Sequence, residues 1–163
     1  MDKKGADLIN LIPYDLILNS AGVGIYGVDT KGNATFFNRA AGHMLGWKPA
    51  EILGRHTHRL LHHSKEDGRP YPEKECPIYA ALKDGTVHAI YDEVFWTKDK
   101  KPFPVEYIST PIRKKDEIVG AVVTFTDRIK CEVAREALEV FARHPQSTGE
   151  FSEWCIQQGL RKH

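Results

Sequence analysis

The chain has 163 residues, 41% of them hydrophobic, and its 23 Lys and Arg against 22 Asp and Glu leave a formal charge of +1. That balance offers no basic footprint for phosphate backbones, so no direct nucleic-acid partner is expected, and no apolar run approaches the ~20 residues that span a bilayer. Its three cysteines, Cys76, Cys131 and Cys155, are an odd number without CxxC spacing, which argues against a disulfide framework and for a reducing, cytoplasmic setting.

In chain order, Leu8, Ile9, Leu11 and Ile12 and then Leu16, Ile17 and Leu18 carry a helical apolar face, interrupted at Pro13. Pro13 suits the first turn of a new short helix better than the interior of a long one. No signal-peptide h-region follows Met1. Two short strands, Ile25–Val28 and Ala34–Phe37, flank a turn in which Gly32 and Asn33 tolerate positive φ. Asn38 is placed to cap the next helix through its side-chain oxygen, and Gly46 to stop it. A single helical turn over Pro49–Gly54 comes next.

From Arg55 to Cys76 the character changes to histidines, charges, Gly68, Pro70 and Pro72. This stretch reads as a long polar connection at the edge of a ligand cavity, a mobile lid and not a packing element. A helix restarts at Cys76-Pro77 and ends before Gly85. Val87–Trp96, Phe103–Arg113 and Ile118–Thr126 read as three strands of a meander. The order predicts an α+β architecture, a five-stranded antiparallel sheet with short helices on one face. From Ile129 the period turns helical, with Val133, Ala137 and Val140 as a narrow stripe suited to pairing with a second copy, and Phe151–Leu160 as a last short helix. Residues 1–20 are thus expected as an N-terminal helical cap, 21–128 as the core domain, and 129–163 as a C-terminal helix and tail.

Asn38-Arg-Ala-Ala-Gly-His-Met-Leu-Gly-Trp-Lys-Pro-Ala-Glu-Ile-Leu-Gly54, Phe103-Pro-Val-Glu-Tyr-Ile-Ser-Thr-Pro-Ile112 and Ile118-Val-Gly-Ala-Val-Val-Thr-Phe-Thr-Asp127 resemble the PAS family of sensory and dimerisation domains. The resemblance implies a bacterial signal-transduction or transcription-regulation module that is not an enzyme. Such a module binds a small ligand or cofactor, relays a conformational change to its C-terminal helix, and works as a homodimer with a kinase or transcription-regulator output domain in cis or trans. A ligand-free dimerisation module is the alternative. Asp127 matches the family's exit signal into the output helix, but Arg128 and Ile129 follow it where many relatives carry Ile-Thr. Asp127 and Arg128 are the expected signal-relay residues. The Asn-Cys-Arg-Phe-Leu-Gln box of the flavin light sensors is absent.

Tyr26, His56, His62, His63, Cys76, Tyr79, Tyr107 and Ser109 are the candidate pocket residues. His56, His58, His62 and His63, with Cys76 after them, also form the one cluster of metal-ligand residue types; imidazole and thiolate suit zinc or iron, and one imidazole suits a haem iron, with His88 as an outside choice. The alternative for these histidines is a solvated loop, and for Cys76 a small core hydrophobe instead of a redox-active thiolate. The sequence does not choose among haem, flavin and no cofactor. Ser109 and Thr124 depend on strand parity, where one residue reverses the face.

Overall fold

The computed structural model describes residues 12–143, with side chains through Glu139. The apolar positions before Ile12, the side chain of Val140 of the stripe, Cys155 and the helix expected over Phe151–Leu160 lie outside what is described. Two units are described separately, one ending at Thr126 and one beginning at Asp127.

In the first unit, helix α1 (Tyr14–Asn19) starts after Pro13, whose φ of −56° leads into it. Strands β1 (Gly24–Asp29) and β2 (Ala34–Phe37) form the hairpin. Its turn is organised by Asp29, whose Oδ1 accepts from the amides of Lys31 at 2.8 Å and Asn33 at 2.9 Å, while Gly32 sits at φ 80°. A side chain at Gly32 would be strained there and would run into the Tyr79 hydroxyl.

Asn38 is the joint of this half. Its Oδ1 accepts from Ala41 N, capping helix α2 (Arg39–Leu45), and from Ile25 N in β1, each at 2.9 Å. Its Nδ2 donates to the carbonyls of Leu18 at 3.0 Å and Val23 at 2.9 Å. The side chain is fully buried and all four of its hydrogen-bonding positions are used. Gly46 ends α2 in the left-handed region at φ 74°. The single turn α3 (Pro49–Ile52) has Pro49 at its first position and Glu51 accepting from Lys48 N.

Helix α4 (Thr57–Leu61) and a 3₁₀ turn at Glu73–Glu75 lie in the segment read as a polar lid. That expectation needs correction. Thr57, His58, Leu61, His62, Tyr71 and Cys76 are all buried, so six of the segment's 22 residues pack into the core. Helix α5 (Pro77–Asp84) follows, with Pro77 at its first position and Gly85 in the left-handed region beyond its end.

Strands β3 (His88–Trp96), β4 (Pro102–Lys114) and β5 (Glu117–Asp127) complete a five-stranded antiparallel sheet of order β2-β1-β5-β4-β3. Val105, Tyr107 and Ser109 of β4 alternate into the interior, as do Ala121, Val123 and Phe125 of β5. Thr124 therefore takes the opposite face from Val123 and Phe125. These residues meet Ala41, Leu45, Ile52, Leu61 and Ile78 from the helices in one core cluster. At its centre Tyr26, Phe95 and Phe125 pack edge to face, with ring centroids 5.2–6.2 Å apart. Strand β3 pairs regularly up to Ile90↔Tyr107 and resumes at Glu93↔Val105. Tyr91 and Asp92 thus oppose the single residue Glu106, a β-bulge that turns Glu93 onto the inner face.

The second unit contains helix α6 (Arg128–Arg143). Asp127 Oδ1 accepts from Ile129 N at 3.1 Å and Lys130 N at 3.3 Å, the arrangement of an N-cap. Arg128 Nε lies 3.6 Å from Glu132 Oε1 one turn on. Within the stripe, Ala137 is buried and Val133 half-buried, while Leu138 is exposed. Among the described residues no helix is long and apolar enough to cross a membrane.

Candidate functional site

His58 and His62 stand four residues apart at α4 and its C-terminal cap, so one helical face presents both imidazoles to the inner face of the sheet. Both are nearly inaccessible, at 6% and 1% exposure. Burial without a partner would be costly for either ring, and the partners come from distant parts of the chain.

His62 Nδ1 lies 3.2 Å from Cys76 Sγ. On the other side of the ring, Nε2 is 2.8 Å from Glu93 Oε2, an ion-pair distance reached off the axis of an aligned hydrogen bond. The Glu93 carboxylate also accepts from the Tyr71 hydroxyl at 2.6 Å and from the Tyr107 hydroxyl at 2.8 Å. Burial acts to raise the Glu93 carboxyl, but the donors His62, Tyr71 and Tyr107 outweigh it and bring the group down to about 2. The two tyrosine hydroxyls are pushed well above their ordinary range, by burial first and by Glu93 next, through its hydrogen bond for Tyr71 and its charge for Tyr107. Burial pushes the Cys76 thiol up to about 11, outweighing the Tyr79 and Ile78 amides at the start of α5, which act to lower it.

The hydrogen bonds also fix proton positions. His58 Nε2 is 2.8 Å from the Tyr71 carbonyl oxygen, which can only accept, so Nε2 carries the proton. Its Nδ1 then holds a lone pair, buried and without a hydrogen-bond partner. Burial lowers the His58 pKa, which favours this neutral form. Glu93, at ion-pair distance from His62 Nε2, favours the tautomer with its proton on that nitrogen, in which Nδ1 is the acceptor toward the Cys76 thiol. A ring nitrogen of His58, one of His62 and the Cys76 sulfur all lie within 4.8 Å of one another.

The other candidates divide by location. Tyr26 is in the core, edge-on to Phe95. Ser109 is fully buried and its hydroxyl has no partner. Tyr79 and His56 stack at the other end of α4, with the tyrosine hydroxyl 3.0 Å from His56 Nε2 and Glu73 3.4 Å from the same nitrogen. His63 stacks on Trp96 and meets Ser64 Oγ at 2.7 Å. His88 pairs with Asp84 at 2.8 Å. Of the five histidines considered as metal or haem ligands, His58 and His62 therefore converge with Cys76, and His56, His63 and His88 have partners elsewhere.

Glu93 and Tyr71 went unrecognised in the sequence. The bulge hides Glu93 from period-two reading, and Tyr71 lies in a stretch with no periodicity. A cleft of about 530 Å³ reaches the cluster from solvent, lined by His62, Ser64, Tyr71, Asp92 and Glu93 among others. The interior between sheet and helices is occupied by the Tyr26, Phe95 and Phe125 rings, which a planar cofactor would have to displace.

A family model described as the PAS fold matches residues 13–128. Among solved structures, the PAS domain of nitrogen regulation protein NR(II) from Vibrio parahaemolyticus superposes with a TM-score of 0.56 at 18% identity, covering 71% of this chain and 98% of that one. The PAS domain of an HTR-like protein from Haloarcula marismortui gives 0.56 at 14% identity, over 77% and 95%. An RNA-binding light-oxygen-voltage receptor gives 0.58 at 21% identity, over 82% and 40%. Comparison with curated proteins returns no match.

Proposed function

Because this chain belongs to the PAS family, we propose that it is a signal-sensing module whose input is the buried cluster around His62 and whose output is helix α6. The carrying observation is the cluster itself. An imidazole, a thiol, a carboxylate and two phenols share one buried network, reached by a solvent cleft, in a layer where apolar packing would be the stable default. A group that binds there, or a proton gained or lost there, alters the inner face of β3 and β4. Relay requires that the occupant favour one of two arrangements over the other. Asp127, as the cap of α6, is the residue through which a change at the end of β5 reaches that helix.

The pocket assignment is His58, His62, Cys76, Tyr71, Glu93 and Tyr107, with Ser109 beside them. The setting is bacterial signal transduction in the cytoplasm, with a kinase or transcription regulator as the output domain. Hydrogen exchange on the full chain tests the relay. His62→Gln is expected to change exchange in 128–143 as well as in 57–76. Altered exchange in 57–76 with identical rates in 128–143 would overturn the relay.

A second reading, a homodimerisation module, draws on helix α1, where Tyr14 is 76% exposed and Leu16 and Ile17 are 54% and 52% exposed. Light scattering across micromolar concentrations decides it, with a persistent monomer as the contrary result.

A further inference from the structure

We propose that His58, His62 and Cys76 form a three-ligand site for a zinc-class divalent metal ion, with the fourth position open. This deepens the sensory reading by naming the occupant of the same cluster. Each element of such a site is present. Tetrahedral zinc takes nitrogen at ~2.0 Å and sulfur at ~2.3 Å, which sets a nitrogen–sulfur edge of roughly 3.5 Å. His62 Nδ1 and Cys76 Sγ are 3.2 Å apart, and the third donor is inside the same 4.8 Å group.

The surrounding hydrogen bonds are those a metal site needs. A ligating histidine ordinarily donates its other ring N–H to a carboxylate or a backbone carbonyl, which fixes the tautomer and aims the free lone pair. His62 has Glu93 in that place and His58 has the Tyr71 carbonyl. The lone pair left on His58 Nδ1 has no hydrogen-bond partner, although its residue is more than nine-tenths buried. Hydrogen bonding within the fold does not account for that nitrogen; a metal ion would.

Loading is balanced by one proton. The Cys76 S–H bond breaks, its proton leaves to solvent, and the electron pair kept on sulfur forms the metal–sulfur bond while both Nδ1 lone pairs coordinate. No oxidant or reductant is involved. The cleft at His62 provides the entry path, and its opening leaves room for water or a small anion at the fourth position. Two imidazoles and one thiolate match the ligand set of open zinc sites and suit harder ions such as magnesium or calcium poorly.

The test is metal uptake by the full chain after chelator treatment, with zinc(II) followed by elemental analysis and cobalt(II) as the optical probe. The expected result is one equivalent per chain and a thiolate-to-cobalt charge-transfer band with tetrahedral visible bands. Cys76→Ser should abolish the charge-transfer band, and His58→Gln and His62→Gln should each weaken zinc binding at least tenfold. His63→Gln and His88→Gln should leave both readouts unchanged. The proposal is overturned if the parent chain takes up no zinc at micromolar free ion, or if the charge-transfer band survives in a folded Cys76→Ser variant, which would place the metal on another thiol. Because uptake reads occupancy and hydrogen exchange in 128–143 reads relay, failure of the site leaves the sensory reading separately testable.

Discussion

Replacing Asn38 with Asp removes a single NH₂ group, yet the structure makes it a severe change. The two acceptor bonds to Ile25 N and Ala41 N survive. The two donations to Leu18 O and Val23 O do not, and a carboxylate oxygen is set against two carbonyl oxygens in a fully buried position. Losing a partner from a buried polar group costs ~1–3 kcal/mol, so two such losses amount to ~4 kcal/mol before any charge burial. Against a total stability of ~5–15 kcal/mol this is a large fraction, and at ~2–4 °C per kcal/mol it predicts a fall in Tm on the order of 10–15 °C. Facing two carbonyls, the introduced carboxyl has a folded pKa above its unfolded value of ~3.9. Its protonated form is therefore favoured by folding; the variant's deficit is greatest above the folded pKa and shrinks as pH falls toward ~4. Urea unfolding followed by tryptophan fluorescence, at pH 7 and pH 4 beside the parent chain, measures both effects. A variant within ~1 kcal/mol of the parent at pH 7 would refute the reading of Asn38 as a four-way joint.

Ser109→Ala removes a buried hydroxyl that has no hydrogen-bond partner. Its stability is expected to equal or exceed the parent's by up to ~1 kcal/mol in the same titration, since no bond is lost and a desolvated polar group is relieved. Gly32→Ala combines φ 80° with a collision against the Tyr79 hydroxyl; a loss of ~1–3 kcal/mol is expected by thermal unfolding. Asp127→Ala removes the acceptor for Ile129 N and Lys130 N. It should cost α6 ~1 kcal/mol of helix stability, seen as faster hydrogen exchange in 128–131, whereas Asp127→Asn should keep most of the protection.

The architecture was legible because its signals are local. Asn38 caps, Gly46 and Gly85 stop, Pro77 starts, and β5 alternates Ala121, Val123 and Phe125, all within a few residues of the structure they specify. The site was only partly legible because its logic is non-local. His58 and His62 count as polar in any hydropathy reading, yet His58 is buried against Tyr71, 13 residues on, and His62 against Cys76 and Glu93, 14 and 31 residues on. The spacing of His58, Leu61 and His62, at i, i+3 and i+4, was the available signal that this stretch was helical and faced inward. Glu93 had none, since strict alternation through β3 groups Ile90 with Asp92 and Val94.

That irregularity gives β3 something akin to a reading frame. Downstream of Tyr91-Asp92, whether a side chain meets the interior or the solvent depends on which β4 residue it stands opposite and not on its own identity. Regular pairing of all the residues present would set Asp92 against Val105 and turn Glu93 and Phe95 outward together, leaving His62 without its carboxylate and the core without an aromatic ring. Removing one residue at 91–92 would instead keep Glu93 opposite Val105. Substitutions along β3 are graded in effect, but a slip of register by one is not. Homologous chains that keep the His62–Glu93 contact are therefore expected to carry either this bulge or one residue fewer opposite Glu106.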